Sequence, residues 1–207
     1  MDKIQFSAFV FQINLVNGFA LLDNRGKIFN DILNYNNKVL ENGDTLKSSS
    51  DKMEFALNST TFIAKLHPHI INKIDTIENA ITHIEKCNKE FIDKAKDICK
   101  IINVSELTRF ASRFQVNYQQ VDKKHIKAIL NDNSKDTSNI NIQKQISKDG
   151  LIMKAINSSN QNLQLDIDRY INTLRFKVND IDEKYKIILE NCYKNISDPT
   201  KLFNSYF

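Results

Sequence analysis

The most constraining feature of the sequence is a long amphipathic stretch, Ile70–Ile102, which contains no glycine or proline. Apolar residues recur in it at steps of three and four, which places them along one face of a helix. Pro68 lies just before the stretch, where a proline in the first turn of a helix loses no hydrogen bond. At about 1.5 Å per residue, such a helix would be about 50 Å long. The sequence therefore predicts one continuous helix over 70–102, long enough to back an entire sheet.

Two segments have the pattern of long β-strands. Leu107–Tyr118 is the clearest, because apolar and polar residues alternate along it. Ile4–Leu15 has apolar residues on both faces, which is typical of a central strand that is covered on both sides. The apolar face of the first segment consists of Phe110, Phe114, Val116 and Tyr118.

Two hairpins complete the predicted sheet. Met53–Leu57 and Thr61–Leu66 alternate on either side of a turn, and so do Lys148–Ser158 and Asn162–Tyr170. The predicted fold class is α+β, a largely antiparallel sheet backed by one long helix at about 70–102. A C-terminal helix, which begins at the capping-box-like Asp180-x-x-Glu183, and an aromatic tail should follow.

The remaining segments are less regular. Phe19–Asn36 fits either a hairpin or an amphipathic helix that tolerates Gly26, and we favour a helix from about Ile28. Asn36–Asp51 is polar and predicts a surface loop. Val121–Leu130 predicts a short helix, and the low-complexity segment at about 131–147 predicts a mobile loop or a weak hairpin.

Length and composition predict a single domain over 1–207 in the cytoplasm. The chain has a formal net charge of +4, with lysines and carboxylates interspersed. Its three cysteines form no CxxC pair, which indicates a reducing compartment and no zinc site. No apolar run approaches the length that spans a membrane, and there is no signal-peptide pattern. No phosphate-binding glycine loop is evident, so we expect no cofactor. No convincing internal repeat is evident either.

Asp166 and Asp168 are the strongest candidates for chemistry. They form a D-x-D on the outer face of a predicted strand, a spacing that can hold Mg²⁺ for phosphoryl transfer. No further acidic residue is placed beside them, however. Arg109 and Arg113 also share an outward face, and if the two strands are neighbours, ion pairs between these arginines and aspartates are the simplest account. A metal-dependent nuclease at the aspartates is the last of our alternatives.

A second alternative is binding of nucleic acid, possibly RNA. Arg109 and Arg113 could contact phosphates together with Lys123 and Lys124. The sequence His67-Pro68-His69 is favoured as a capping or surface element, because no other ligands are spaced to complete a metal site.

Two features favour a protein partner or a homo-oligomer. Asn88 lies where the near-heptad stripe of the long helix would otherwise have an apolar residue, and a single asparagine there can fix the register of an oligomer. The alternative is that Asn88 faces water where the helix extends past the sheet. The tail could close the core or dock into another subunit through Leu202, Phe203, Tyr206 and Phe207.

The order of these elements resembles a provisional family of sporadically distributed bacterial proteins of unknown function. The matching positions are Arg109, Phe110, Arg113, Phe114 and Asn117 in one segment and Leu165–Asp168 in the other. Ala111-Ser112 departs from the family's glycine region. The resemblance implies a fold and a bacterial accessory gene set, possibly of the phage-defence kind, with no activity to carry over. We therefore expect a non-enzymatic protein-interaction module.

Overall fold

One antiparallel sheet organises the structure. The computed structural model describes residues 4–16, 19–35, 39–41, 45–71, 76–119, 124, 141–146, 151–159, 162–171 and 175–186. The strands are β1 (Ile4–Leu15), β2 (Val39–Glu41), β3 (Thr45–Ser49), β4 (Met53–Leu57), β5 (Thr61–Leu66), β6 (Glu106–Tyr118), β7 (Asn141–Ile146), β8 (Leu151–Ser159), β9 (Asn162–Ile171) and β10 (Phe176–Lys177). Their spatial order is β2-β3-β4-β5-β1-β6-β9-β8-β7, and β10 pairs with the start of β6.

Four helical segments accompany the sheet. They are α1 (Phe19–Asp31), α2 (Pro68–Ile71), α3 (Ile77–Ile101) and α4, whose described residues are 181–186. A 3₁₀ turn at Val178–Asp180 leads into α4. The predicted α+β class and the long helix behind an antiparallel sheet are confirmed.

The core lies between α3 and the inner face of the central strands. Phe9, Phe11 and Ile13 alternate along β1, and all three are fully buried. Phe110 and Phe114 of β6 lie opposite Ile13 and Phe9 in the strand pairing, so they belong to the same face. A continuous stack of aromatic rings connects this face to α3 and to the segment that follows α1. The centroid of each ring lies 5.0–6.0 Å from that of the next. Its members are Phe11, Phe91, Phe62, Phe55 and Tyr35.

The long helix begins later than predicted. Thr76 has extended backbone angles, and its hydroxyl accepts a hydrogen bond from the N–H of Asn79 at 3.2 Å. This cap starts α3 at Ile77, whereas Pro68 starts the separate short helix α2. The prediction of one continuous helix from Ile70 is therefore wrong at its N-terminal end. The apolar steps continue across the break, so periodicity alone does not detect it.

Other segments also differ from the predictions. Residues 19–31 form one helix through Gly26, which is exposed and has open space around it. The amphipathic-helix alternative is therefore correct, but the favoured start at about Ile28 is wrong, because the helix begins at Phe19. The predicted surface loop at Asn36–Asp51 contains β2 and β3. Within β3, Leu46 and Ser48 are buried beside β4. Part of the predicted loop at 131–147 is the strand β7. Both predicted hairpins are confirmed.

Candidate functional site

Polar side chains occupy the face of the sheet opposite the core, which we call the open face. On β6, Arg109, Arg113, Gln115 and Asn117 alternate with the buried residues of the inner face. Val10 of β1 lies opposite both Arg113 and Lys65, which places Lys65 on this face as well. Arg113 and Lys65 are exposed, and Arg109 is half-buried. The predicted outward direction of the two arginines is therefore correct.

The strand pairing brings one arginine beside one aspartate. Strands β6 and β9 are neighbours, and Arg113 lies directly opposite Asp168. Asp166 lies opposite Gln115 on β6 and opposite Lys154 on β8. Directly opposed residues on neighbouring antiparallel strands lie close enough for their charges to interact. Arg109 lies one position beyond the last β6–β9 pair, so it faces neither aspartate in register.

The described residues do not assemble a metal centre at the two aspartates. No group of three or more His, Cys, Asp or Glu side chains that could hold a metal ion occurs among them. The residues opposite Asp166 and Asp168 on β6 and β8 are Gln115, Lys154, Arg113 and Ile152, none of which supplies a further carboxylate. Whether Asp166 and Asp168 form ion pairs or hold a metal ion stays a prediction.

Asn88 lies inside the chain's own core. Its exposed fraction is 1%, so the alternative in which it faces water is wrong. Its Oδ1 accepts no hydrogen bond among the described residues. Ile84 and Phe91, one turn away on either side, are fully buried within the same chain. A role in setting the register of an oligomer stays a prediction, and it would require access to a side chain that the fold covers.

His67 and His69 join the end of β5 to the turn between β3 and β4. The Nε2 atom of His67 lies 2.9 Å from the hydroxyl of Ser49 and 2.9 Å from the carbonyl oxygen of Ser50. A carbonyl oxygen can only accept, so this nitrogen carries the proton and donates it. These contacts tie His67 to the turn between β3 and β4. The favoured structural role of these histidines fits this geometry.

A polar cluster around Lys94 was not predicted. Its ammonium group donates to the carbonyl oxygen of Ile32 at 3.0 Å and lies 4.9 Å from the ring centre of Tyr35. The hydroxyl of Tyr35 donates to Glu90 at 2.8 Å. Burial lowers the pKa of Lys94, and burial together with the bond to Glu90 raises the pKa of Tyr35. The i, i+4 spacing of Glu90 and Lys94 is the only sequence signal for this cluster.

The Lys94 cluster forms contacts within the protein. A cleft of about 380 Å³ beside it is lined by Asn34, Tyr35, Ser49, Ser50, Asp51, Lys52 and Glu90. The ammonium group of Lys94 donates to the carbonyl oxygen of Ile32 and lies over two aromatic rings, those of Tyr35 and Phe55. These contacts connect α3 to the segment that follows α1.

His83 is a partly buried residue in the first two turns of α3. Its Nε2 atom is buried and has no hydrogen-bond partner among the described residues. Burial, followed by the charges of Lys52 and Lys86, lowers its pKa. His83 is therefore neutral near pH 7.

Several predicted residues lie outside the described part of the chain. These are Lys123 and the tail residues Leu202, Phe203, Tyr206 and Phe207. Lys124 is described as a single exposed helical residue, and the side chains of Asp166 and Asp168 are known only by their register positions.

Comparison with known proteins does not identify the chain. No family model matches the sequence, and no curated protein matches it. Among the helices of the described residues, none is long and apolar enough to cross a membrane.

Proposed function

We propose that this protein is a non-catalytic assembly module that binds a protein partner, a second copy of itself in the first instance, across the open face of its sheet. The observation that carries the proposal is the charge pattern of that face. Opposite charges face one another in three cross-strand pairs, and these are Glu54 with Lys65, Arg113 with Asp168, and Lys154 with Asp166.

A face with balanced charges fits a protein surface better than a polyanion. Carboxylates interspersed among the arginines and lysines would repel phosphates, whereas charges of both signs can pair with those of a partner. Because the face carries charges of both signs, it could also pair with its own copy about a two-fold axis. Val16 is the one exposed large hydrophobic residue in the described part of the chain, which argues against a large apolar interface there.

Light scattering coupled to size-exclusion chromatography, over a range of protein concentrations, tests self-association. The double variant Lys65→Glu/Arg113→Glu replaces a positive charge by a negative one on each of β5 and β6, the two strands that flank β1. We expect its dimer dissociation constant to rise at least tenfold, which corresponds to about 1.4 kcal/mol. The matched control is Lys86→Glu/Lys89→Glu, which changes the net charge equally on the exposed side of α3.

A parent protein that stays monomeric at every concentration contradicts self-association, and an equal effect of both double variants contradicts the assigned face. The nucleic-acid alternative makes a different prediction. Binding of a mixed-sequence oligonucleotide would weaken steeply with salt and would be lost in Arg109→Ala and Arg113→Ala.

A further inference from the structure

The strand order has the symmetry of a duplicated unit. The two long central strands, β1 and β6, are each followed by an antiparallel meander that returns to pair beside the strand it started from. In the first half β3, β4 and β5 return beside β1, and in the second half β7, β8 and β9 return beside β6. The short edge strand β2 and the short helix α2 of the first half have no counterpart among the described residues of the second half. Helix α1 follows β1, and helical residue Lys124 follows β6. Helix α3 follows the first meander, and α4 follows the second.

The sequence repeats in the same order. Strands β1 and β6 share a pattern of alanine, phenylalanine, glutamine and asparagine, with each residue 103 positions from its counterpart. The pairs are Ala8 and Ala111, Phe11 and Phe114, Gln12 and Gln115, and Asn14 and Asn117. Residues 56–59 (ALNS) correspond to 155–158 (AINS), 99 positions on. Residues 84–89 (IEKCNK) correspond to 189–194 (LENCYK), 105 positions on.

The strand pairing is compatible with this correspondence. Ala8 lies opposite Gln115, and its counterpart Ala111 lies opposite Gln12, the counterpart of Gln115. Antiparallel pairing makes this exchange reciprocal for any constant offset. The informative feature is that the two-fold axis falls near the middle of the paired stretch Ile4–Leu15, as it does in a symmetric dimer. The small alanine leaves room for the long glutamine side chain opposite it, and Ala111 is 3% exposed although it lies on the open face. Val10 and Arg113 lie opposite one another at the axis.

We propose that the chain is a fused dimer of one β-α-β-β-β-α unit. The two units pair through the edges of β1 and β6, as the subunits of a symmetric homodimer would, and residues 103–106 join them. The surface that each unit presents along its first strand fits a second copy of the same unit. This proposal does not depend on the function proposed above, because it concerns pairing within one chain.

The proposal predicts that the end of the second unit lies beside the start of the first. Phe207 corresponds to Ile102, and Ile4 corresponds to Leu107. Four residues connect Ile102 to Leu107, so four residues should also connect Phe207 to Ile4. Such a connection reaches at most about 18 Å. The termini of many domains lie near one another, so the discriminating quantity is this upper limit of about 18 Å and not proximity alone.

A circular permutant tests this expectation. The new chain starts at Val104 and ends at Asn103, and one added glycine joins Phe207 to Met1, which gives a connection of four residues. The matched control has the same new ends with a 20-residue Gly/Ser linker, which can span far larger separations. We expect both permutants to melt cooperatively within about 8 °C of the parent protein. Folding of the long-linker permutant alone would overturn the proposal.

A second measurement decides the matter if neither permutant folds. Energy transfer is measured in the unpermuted chain between a dye on the amino terminus and a dye attached enzymatically at the carboxyl terminus. The reference is a peptide that carries the same dyes on a four-residue linker with the same attachment tag. Transfer close to that of the reference supports the fused dimer, and transfer that is low in the native state and rises only on unfolding overturns it.

Discussion

Replacement of Asn88 by leucine should stabilise the protein. Asn88 is buried on the core-facing side of α3, and its Oδ1 accepts no hydrogen bond among the described residues. An unsatisfied buried polar group costs about 1–3 kcal/mol. Leucine removes this cost, fills an apolar site next to Ile84 and Phe91, and is a better helix former than asparagine. We expect the free energy of unfolding to rise by about 1–3 kcal/mol, and the melting temperature by about 2–12 °C for a chain of this length.

Denaturant unfolding followed by circular dichroism measures the change directly. The control is Asn79→Leu, the same substitution at an exposed position of the same helix, which should stay within about 0.5 kcal/mol of the parent. A decrease in stability for Asn88→Leu would refute the argument, because it would mean that the amide has a favourable partner. If the variant is more stable but no longer self-associates, Asn88 is retained for assembly at a cost in stability.

Three further predictions concern the core, the pH dependence and the tail. Ile84→Ala should lower the free energy of unfolding by about 2–5 kcal/mol, since Ile84 is fully buried; a melting temperature close to the parent's would contradict this. The pKa of His83 is lower when folded, so unfolding takes up a proton and stability is lost as the pH falls below about 6.5. His83→Gln should flatten that part of the stability profile, measured by denaturant unfolding between pH 7 and pH 5. Deletion of residues 202–207 should lower the melting temperature or dissociate an oligomer on size exclusion. If neither changes, the tail neither closes the core nor docks into another subunit.

The sequence predicted the elements whose side-chain period is long and regular. Strands β1 and β6 and the two hairpins agree with their predicted positions. In each of them every second side chain packs into the core, so the sequence shows a clear alternation. The start of α3 was mispredicted, because Thr76 stops the helix by a local cap while the apolar steps continue past it. The strands β2 and β3 were missed because they are short. In β3 the inward positions include Ser48, which is buried by donating its hydroxyl to the carbonyl oxygen of Leu33.

The open face was easier to predict than the clusters formed across the fold. The outward direction of Arg109 and Arg113 follows from alternation along a single strand. By contrast, the contacts of Lys94 with Ile32 and Tyr35 join residues about 60 positions apart, and no local pattern indicates them. The proposed internal repeat is difficult to detect in the sequence for a related reason. Its identical residues are few and are separated by different spacings, and the proposal depends mainly on the strand order.

The last prediction decides whether the charges on the open face act as pairs. Arg113 lies directly opposite Asp168, whereas Asp166 is offset by two positions and lies opposite Gln115. Direct cross-strand pairs of opposite charge contribute about 0.2–1 kcal/mol, and because Arg113 is exposed, solvent keeps the value within that range. Double-mutant cycles in denaturant unfolding should give a coupling of about 0.5 kcal/mol or more between Arg113→Ala and Asp168→Ala. The matched cycle with Asp166→Ala should give a smaller value, because the two side chains lie on a diagonal. Equal coupling in both cycles would show that the overall charge of the face, and not a specific pair, affects stability. Additive effects in both cycles would show that neither ion pair stabilises the protein.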